Sequence, residues 1–557
     1  MSERIIVDPI TRIEGHLRIE VEVDKDNVVQ DAWSSITLWR GIETILKGRD
    51  PRDAGLMVQR FCGVCTYSHY EASIMACEDA FGVTPPPNAR IMRNLIKAAQ
   101  YITDHVMHFY HLHGLDWVDI VSALSADPKK AVDIARSYHE DPYNCSESHY
   151  RAVQKRLGRF VESGRLGPFA NAYWGNPSFK MPPEANLVVL SHYLDALTVS
   201  KTGAQMMAIF GGKNPHPQSL VVGGITSVMD AMDANRVGQY LFRLREINRF
   251  IETAYIPDVL IAAASYKDEG LAGTGVGVRN YLCYGGFPLD DNWNETLLPK
   301  GVVIDGNITS PLDLHERMIT EEVTHSWYKG SESLHPFDGK TEPEYTGFDA
   351  NGHIKGDEKY TWCKAPRYND LPFEVGPLAR FIVGYAQGHE KIRDLVDTTL
   401  KASNLPISVL FSTLGRTAAR ALETKLVGDS AEAWVNELIS NIKSGDTRTW
   451  TRCDVPESGQ GRGMNEVPRG ALGHWVRIEN KVIENYQAIV PSTWNCSPRD
   501  HAGRKGPYEE SLIGTRLADV NQPLEILRTI HSFDPCMACA VHIITPHTNE
   551  IRKYKVA

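Results

Sequence analysis

The sequence predicts a mainly α protein: a long-helix bundle core, a small N-terminal β element and an irregular α+β lobe. Three observations carry this. Several long stretches repeat apolar residues at three- and four-residue steps, as amphipathic helices do. Near the start, Leu17, Ile19, Val21 and Val23 alternate with Arg18, Glu20, Glu22 and Asp24, the period of a strand. Residues 265–375 are rich in Gly, Tyr, Trp, Asp and Pro and keep few helical periods, so they read as a lobe inserted between helices.

In chain order, residues 4–38 read as strands, with Lys25-Asp26-Asn27 as a turn into Val28-Val29. Arg12-Ile13-Glu14-Gly15-His16 stands before the alternating strand and Arg40-Gly41-Ile42-Glu43 after the β element; alone, each could be a solvated turn. Residues 66–80 lack Gly and Pro and predict a helix, broken by Pro85-Pro86-Pro87. Leu95, Ala98, Ala99, Ile102, Val106 and Phe109 predict another, from Leu95 to about His113. Its His105, His108 and His111 drift across the helix surface, so core or interface histidines explain them better than a metal face. Further helices are expected at 185–209, 232–255, 377–402, 412–426, 430–443 and 522–532, with 444–512 loop-rich. Gly211-Gly212-Lys213-Asn214-Pro215-His216 lacks the spacing of a phosphate loop. No internal repeat or low-complexity tract is found.

The 557 residues are enough to bury a large core. A net charge of −10 offers no basic footprint for nucleic acid. No apolar run reaches the roughly 18 residues of a membrane span, and the N-terminus carries no Sec-type or twin-arginine signal. Six of the ten cysteines are scattered singly, as buried small hydrophobes usually are.

The other four form two C-x2-C pairs, Cys62/Cys65 and Cys536/Cys539, near opposite ends of the chain. Two intervening residues let both sulfurs reach one metal. A structural zinc ribbon brings its second pair within a few tens of residues; here more than 400 intervene, and the whole fold must close the site. Four thiolates suit zinc, nickel or an iron–sulfur cluster, and spacing does not choose. A helix starting just past Cys65 would point its positive end at the sulfurs and favour thiolates.

Taken together, Arg12-Ile13-Glu14-Gly15-His16, Arg40-Gly41-Ile42-Glu43, Arg60 to His69, Pro468-Arg469-Gly470, Pro491-Ser492-Thr493-Trp494-Asn495 and Asp534 to His542 resemble the large subunit of nickel–iron hydrogenases, especially the membrane-associated or periplasmic uptake group. The resemblance spans the chain. It implies that family's large-subunit fold and reversible oxidation of dihydrogen. Cys62 and Cys536 look like terminal nickel ligands, and Cys65 and Cys539 like bridges to an iron that carries carbon monoxide and two cyanides. Position 536 is Cys, which disfavours the selenium-containing subgroup.

The same resemblance implies further roles. Glu14 matches a proton-exit carboxylate, and His69 a residue bonded to a bridging thiolate. Asp104 and Arg469 match groups above the active site; Arg469 would be a base, a donor to a cyanide or a charge stabiliser. Pro468 and Ser492 match residues lining the iron's diatomic ligands. Glu43, the backbone carbonyl of Ala488 and His542 match a magnesium site. His216 looks like the residue facing the nearest cluster of an iron–sulfur small subunit, the implied obligate partner, with a dimer of heterodimers and a membrane electron acceptor as further expectations. A maturation endopeptidase and accessory proteins are implied too, the cut falling after His542, so that 1–542 form one domain and Ile543–Ala557 a removed peptide. Periplasmic location would then depend on a signal-bearing small subunit; the cytoplasm is the alternative. Rival readings are a quinone-reductase relative, disfavoured by the four cysteines, a hydrogen sensor and a structural zinc protein.

Overall fold

The computed structural model describes residues 3–164, 167–169 and 172–537. Cys539, His542 and the tail after it lie outside them.

Strands Glu3–Val7, Leu17–Val23 and Val29–Ile36 form an antiparallel sheet in that order. Leu17, Ile19, Val21 and Val23 are fully buried, as their alternation predicts. Glu20, on the other face, is buried too, because the lobe covers it: the Ile354 amide donates to Glu20 Oε1 at 3.0 Å.

The core is a helix bundle. Pro87–Met107 runs through its middle, packed against Pro183–Gly211 and Thr413–Lys443. Proline at the first helical position starts Pro87–Met107, and the Ser412 hydroxyl caps Thr413–Lys443 by accepting from the Gly415 amide at 3.1 Å. The expected helices 412–426 and 430–443 are one. Gly428, in the expected gap, is a contact point: a Cβ there would meet Asn248 Oδ1 at 2.4 Å, so glycine lets Ala234–Phe250 cross closely. Conversely, the expected helix 377–402 is two, Pro377–Gln387 and Glu390–Ser403, divided at Gly388 with φ of 83°. Helices absent from the sequence reading include Pro51–Val58, Pro128–Tyr138, Glu147–Glu162 and Ile256–Ser265.

The largest correction falls in 444–512. This stretch carries an antiparallel sheet, Ser458–Val467, Gly470–Glu479 and Val482–Ile489. Gly461 and Gly463 share one face of its first strand, and helix Ser68–Phe81 lies on it. A Cβ would come within 2.3 Å of the Ala76 carbonyl at Gly461 and 1.9 Å of the Ala72 carbonyl at Gly463. Glycine is therefore required for strand and helix backbones to approach. The hairpin turns through Pro468 and Arg469, between the paired Val467 and Gly470.

The lobe holds two strand pairs, Tyr281–Pro288 with Thr296–Val303 and Ile319–Glu322 with Ala365–Tyr368, among irregular chain. Helix Leu524–Ser532 then leads to Cys536. Helix outweighs strand, but the fold is mixed and has more sheet than the sequence reading expected. Among the described residues, no helix is long and apolar enough to cross a membrane.

Candidate metal centre

Cys62, Cys65 and Cys536 come together between bundle and hairpin. Their sulfurs lie within 4.8 Å of one another, and all three residues are buried. Cys62 Sγ is 3.2 Å and Cys65 Sγ 4.0 Å from Cys536 Sγ. A disulfide needs about 2.05 Å, whereas sulfurs sharing one metal sit farther apart. The amides of Val64 and Cys65 donate to Cys62 Sγ at 3.2 and 3.1 Å, which favours a thiolate. Helix Ser68–Phe81 begins three residues past Cys65, as expected for a positive end near the sulfurs. This donor set fits a thiophilic metal; the fourth cysteine, Cys539, lies outside the described residues.

Cys536 is delivered by backbone contacts. The Glu14 amide donates to the Pro535 carbonyl at 3.3 Å, and the Met537 amide donates to the Glu14 carbonyl at 2.7 Å. The Cys536 amide donates to Ser492 Oγ at 3.0 Å. Glu14 is thus set beside the sulfur, with its Oε2 at 3.5 Å from Cys536 Sγ.

A cavity beside the sulfurs is lined by Cys65, His69, Val467, Pro468, Arg469, Val490, Pro491, Ser492 and Cys536. Its walls are largely apolar, apart from the guanidinium of Arg469. That group is gripped on both sides: Nη1 is 3.1 Å from Asp104 Oδ2, and Nη2 is 3.1 Å from Asp534 Oδ1. Burial disfavours its charge, but Asp534, Cys536 and Asp104 outweigh this and hold it protonated well above the usual arginine range. Burial raises the Asp104 carboxyl above the usual range, and the pull of Arg469 opposes this. Arg380, fully buried, donates to the carbonyls of Val467 and Pro468 at 3.0 and 3.1 Å and so fixes the turn that carries Arg469. Asp534 and Arg380 were missed as functional residues. Asp534 had a signal, two residues before Cys536; Arg380 had none.

His69 is buried, which lowers its pKa to about 4, so the ring is neutral. Its Nδ1 meets His474 Nε2 at 3.0 Å, and His474 Nδ1 meets the Tyr486 hydroxyl at 2.6 Å. His216 Nε2 bonds the carbonyl of Cys62 at 3.0 Å from a half-buried position. The other histidines of the central helix are spoken for: His105 bonds Glu423 at 2.8 Å, and His108 bonds the His531 carbonyl at 2.6 Å.

Glu43 and Ala488 also meet, in a second small cavity. It is the Ala488 amide, not its carbonyl, that contacts Glu43, donating to Oε1 at 3.0 Å. Lys364 Nζ sits 3.7 Å from both Glu43 Oε2 and Glu321 Oε2. Burial raises the Glu321 carboxyl to about 7.

Comparison with known proteins bears on all of this geometry. The nickel-dependent hydrogenase family matches residues 40–542, and a HoxL-like family matches 4–37. The quinone-reactive Ni/Fe-hydrogenase large chain of Wolinella succinogenes is 53% identical, with 100% of this chain and 98% of that one covered. The uptake hydrogenase large subunit of Rhizobium leguminosarum is 48% identical, with the same coverage. A solved NiFeSe hydrogenase of Desulfomicrobium baculatum superposes with a TM-score of 0.79 at 35% identity, covering 97% of this chain and 100% of that one. A buried thiol trio closed by both ends of the chain and a family match over most of its length lead to one conclusion: this chain belongs to the nickel-dependent hydrogenase family, as a large subunit and an oxidoreductase acting on dihydrogen.

Proposed function

We propose that Cys62, Cys65, Cys536 and Cys539 hold a nickel–iron group at which dihydrogen is cleaved heterolytically. The two protons then leave by Glu14 and the two electrons pass to an iron–sulfur small subunit. The observation that carries this reading is the meeting of three buried thiols, one of them 3.5 Å from a carboxylate oxygen. Cys62 and Cys536 would bind nickel alone, and Cys65 and Cys539 would bridge to an iron with carbon monoxide and two cyanides. When bound, this group supplies Lewis-acid polarisation of dihydrogen and a change of redox state.

The chain's own residues do the rest. The Cys536 sulfur takes up the proton and faces the Glu14 carboxylate, which accepts it next. Arg469 stays cationic between its two carboxylates, so it acts as a fixed positive charge and donor over the cavity, not as the base. Pro468 and Ser492 line the cavity on the side proposed for the iron's diatomic ligands. If the Tyr486 hydroxyl donates to His474, the series places the His69 proton on Nε2, the nitrogen proposed to donate to the bridging Cys65. Glu43 and the backbone carbonyl of Ala488, with Glu321 nearby, would offer oxygen donors for magnesium, and His542 would complete that site; Lys364 is the charge such a cation must tolerate. His216 is proposed to face the partner's nearest cluster, and the assembled enzyme to work in the periplasm. Residues 1–542 would be the working domain. Ile543–Ala557, with Arg552, Lys553 and Lys555, would be removed, since unpaired charges do not bury easily behind a closed site.

Replacing Cys65 or Cys536 by Ser should abolish hydrogen turnover and sharply lower bound nickel, because an alkoxide poorly replaces a soft thiolate. Metal analysis beside activity checks this, and normal nickel with full turnover would remove the assignment. Glu14→Gln keeps the shape but not the proton. It should slow hydrogen–deuterium exchange between dihydrogen and solvent while sparing ortho–para conversion; undiminished solvent exchange would refute the relay. Arg469→Lys keeps a charge but loses the planar fork gripped by Asp104 and Asp534. Activity should fall about 10-fold or more with metal content near normal, and an equally active variant would make Arg469 merely structural. The intact mass of active enzyme should end at His542; a fully active chain that still weighs the extra 15 residues would disprove the maturation peptide.

A further inference from the structure

Asp116 is the hub of a buried cluster that the proposed chemistry does not use. Its Oδ1 accepts from Arg12 Nη2 at 2.5 Å. Its Oδ2 accepts from His531 Nδ1 at 2.6 Å and from His113 Nδ1 at 3.2 Å. Its backbone carbonyl accepts from Arg528 Nε and Nη2 at 3.0 and 2.9 Å. The proton positions follow from the partners. The Trp117 indole N–H can only donate, and it meets His113 Nε2 at 2.8 Å, so His113 carries its proton on Nδ1 and turns it to Asp116. His531 bridges two segments, with the carboxylate at Nδ1 and the Thr11 carbonyl at Nε2, 2.8 Å away. His113, Asp116 and His531 converge closely enough for a cation, but Arg12 already supplies the countercharge, and the geometry is that of an ion network.

The cluster ties together the two segments that meet at the metal centre. Thr11 and Arg12 begin the stretch that ends at Glu14, and Arg528 and His531 lie on the helix that leads to Cys536. Where the segments meet, they share the two backbone hydrogen bonds between Glu14 and Pro535 or Met537, and a single parallel bridge pairs Glu14 with Cys536. So short a pairing specifies its own register weakly, and a slip of one residue would turn Glu14 to the opposite side. Arg12 adds a second demand. Its φ of 56° is a left-handed conformation that a residue with a side chain adopts only when held. Its guanidinium supplies the hold through Asp116 and through the Leu112 carbonyl at 2.6 Å.

We propose that Asp116, with Arg12, His113 and His531, is a clamp that sets the register of Glu14 against Cys536. Asp116 is then a positioning residue for a metal ligand and for the carboxylate beside it. The clamp goes beyond the proton-relay reading and stands whether or not Glu14 moves protons.

Backbone amide hydrogen exchange on the assembled, metal-loaded enzyme tests it. In Asp116→Asn, exchange in the segments carrying Glu14 and Met537 should rise about tenfold or more, because the buried carboxylate that Arg12, His113 and His531 share is lost. Exchange across hairpin Ser458–Glu479 should stay as it was. Glu78→Gln breaks a comparably buried ion pair with Arg93, away from both segments, and should leave them unchanged. Unaltered exchange at Glu14 and Met537 in Asp116→Asn would overturn the proposal. So would a rise spread evenly over hairpin and bundle, the mark of general destabilisation. Should Asp116→Asn not accumulate, Arg12→Lys is read by the same measurement and the same two criteria.

Discussion

Three sulfurs from positions 62, 65 and 536 occupy one buried spot, and the architecture follows from the need to bring them there. Their separation along the chain means that no local motif can close the site. The N-terminal sheet, the central bundle, the hairpin and the last helix all contribute to holding it. The backbone pairing of Glu14 with Cys536 couples one of the three thiols to its neighbouring carboxylate within one hydrogen-bonded unit.

The surroundings of the sulfurs combine dryness with fixed charge. Val467, Pro468, Val490 and Pro491 keep the cavity apolar, and low polarity strengthens each electrostatic contact inside it. A lone guanidinium there would be strongly unfavourable. Arg469 is tolerated because Asp104, from the central helix, and Asp534, from the C-terminal segment, meet it from two sides. Arg380 does the same one layer out: it pairs with Glu423 and Glu466 while holding the turn that presents Arg469. The charges are thus nested, and Arg380 also fixes a piece of the backbone. This arrangement positions donors without solvent, as a reaction that separates charge requires.

The sequence made some of this legible and hid the rest for identifiable reasons. The two C-x2-C pairs announced a metal and the central helix announced itself, because both signals are local. Spacing alone did not distinguish nickel from zinc; the motif resemblance did, and the family match agrees with it. The hairpin was read as part of a loop-rich stretch. The alternation of its glycines, at 459, 461 and 463, was the overlooked sign of a strand pressed against a helix backbone. Gly428, in the gap expected between two helices, marks a crossing and not an end. Lys364 at the Glu43 cavity and His474 behind His69 could not be read at all, since their partners lie far off in the chain and no pattern links them. Glu14, Asp104 and Arg469 were found through their motifs, and the structure gathers all three around the thiols; their catalytic roles rest on the proposal.

X-ray absorption at the nickel edge, on enzyme assembled with its native partner, tests the central claim most directly. The account predicts stoichiometric nickel whose first shell is dominated by sulfur, as thiolates from both ends of the chain require. Nickel bound through nitrogen and oxygen, or zinc in the place of nickel, would contradict it.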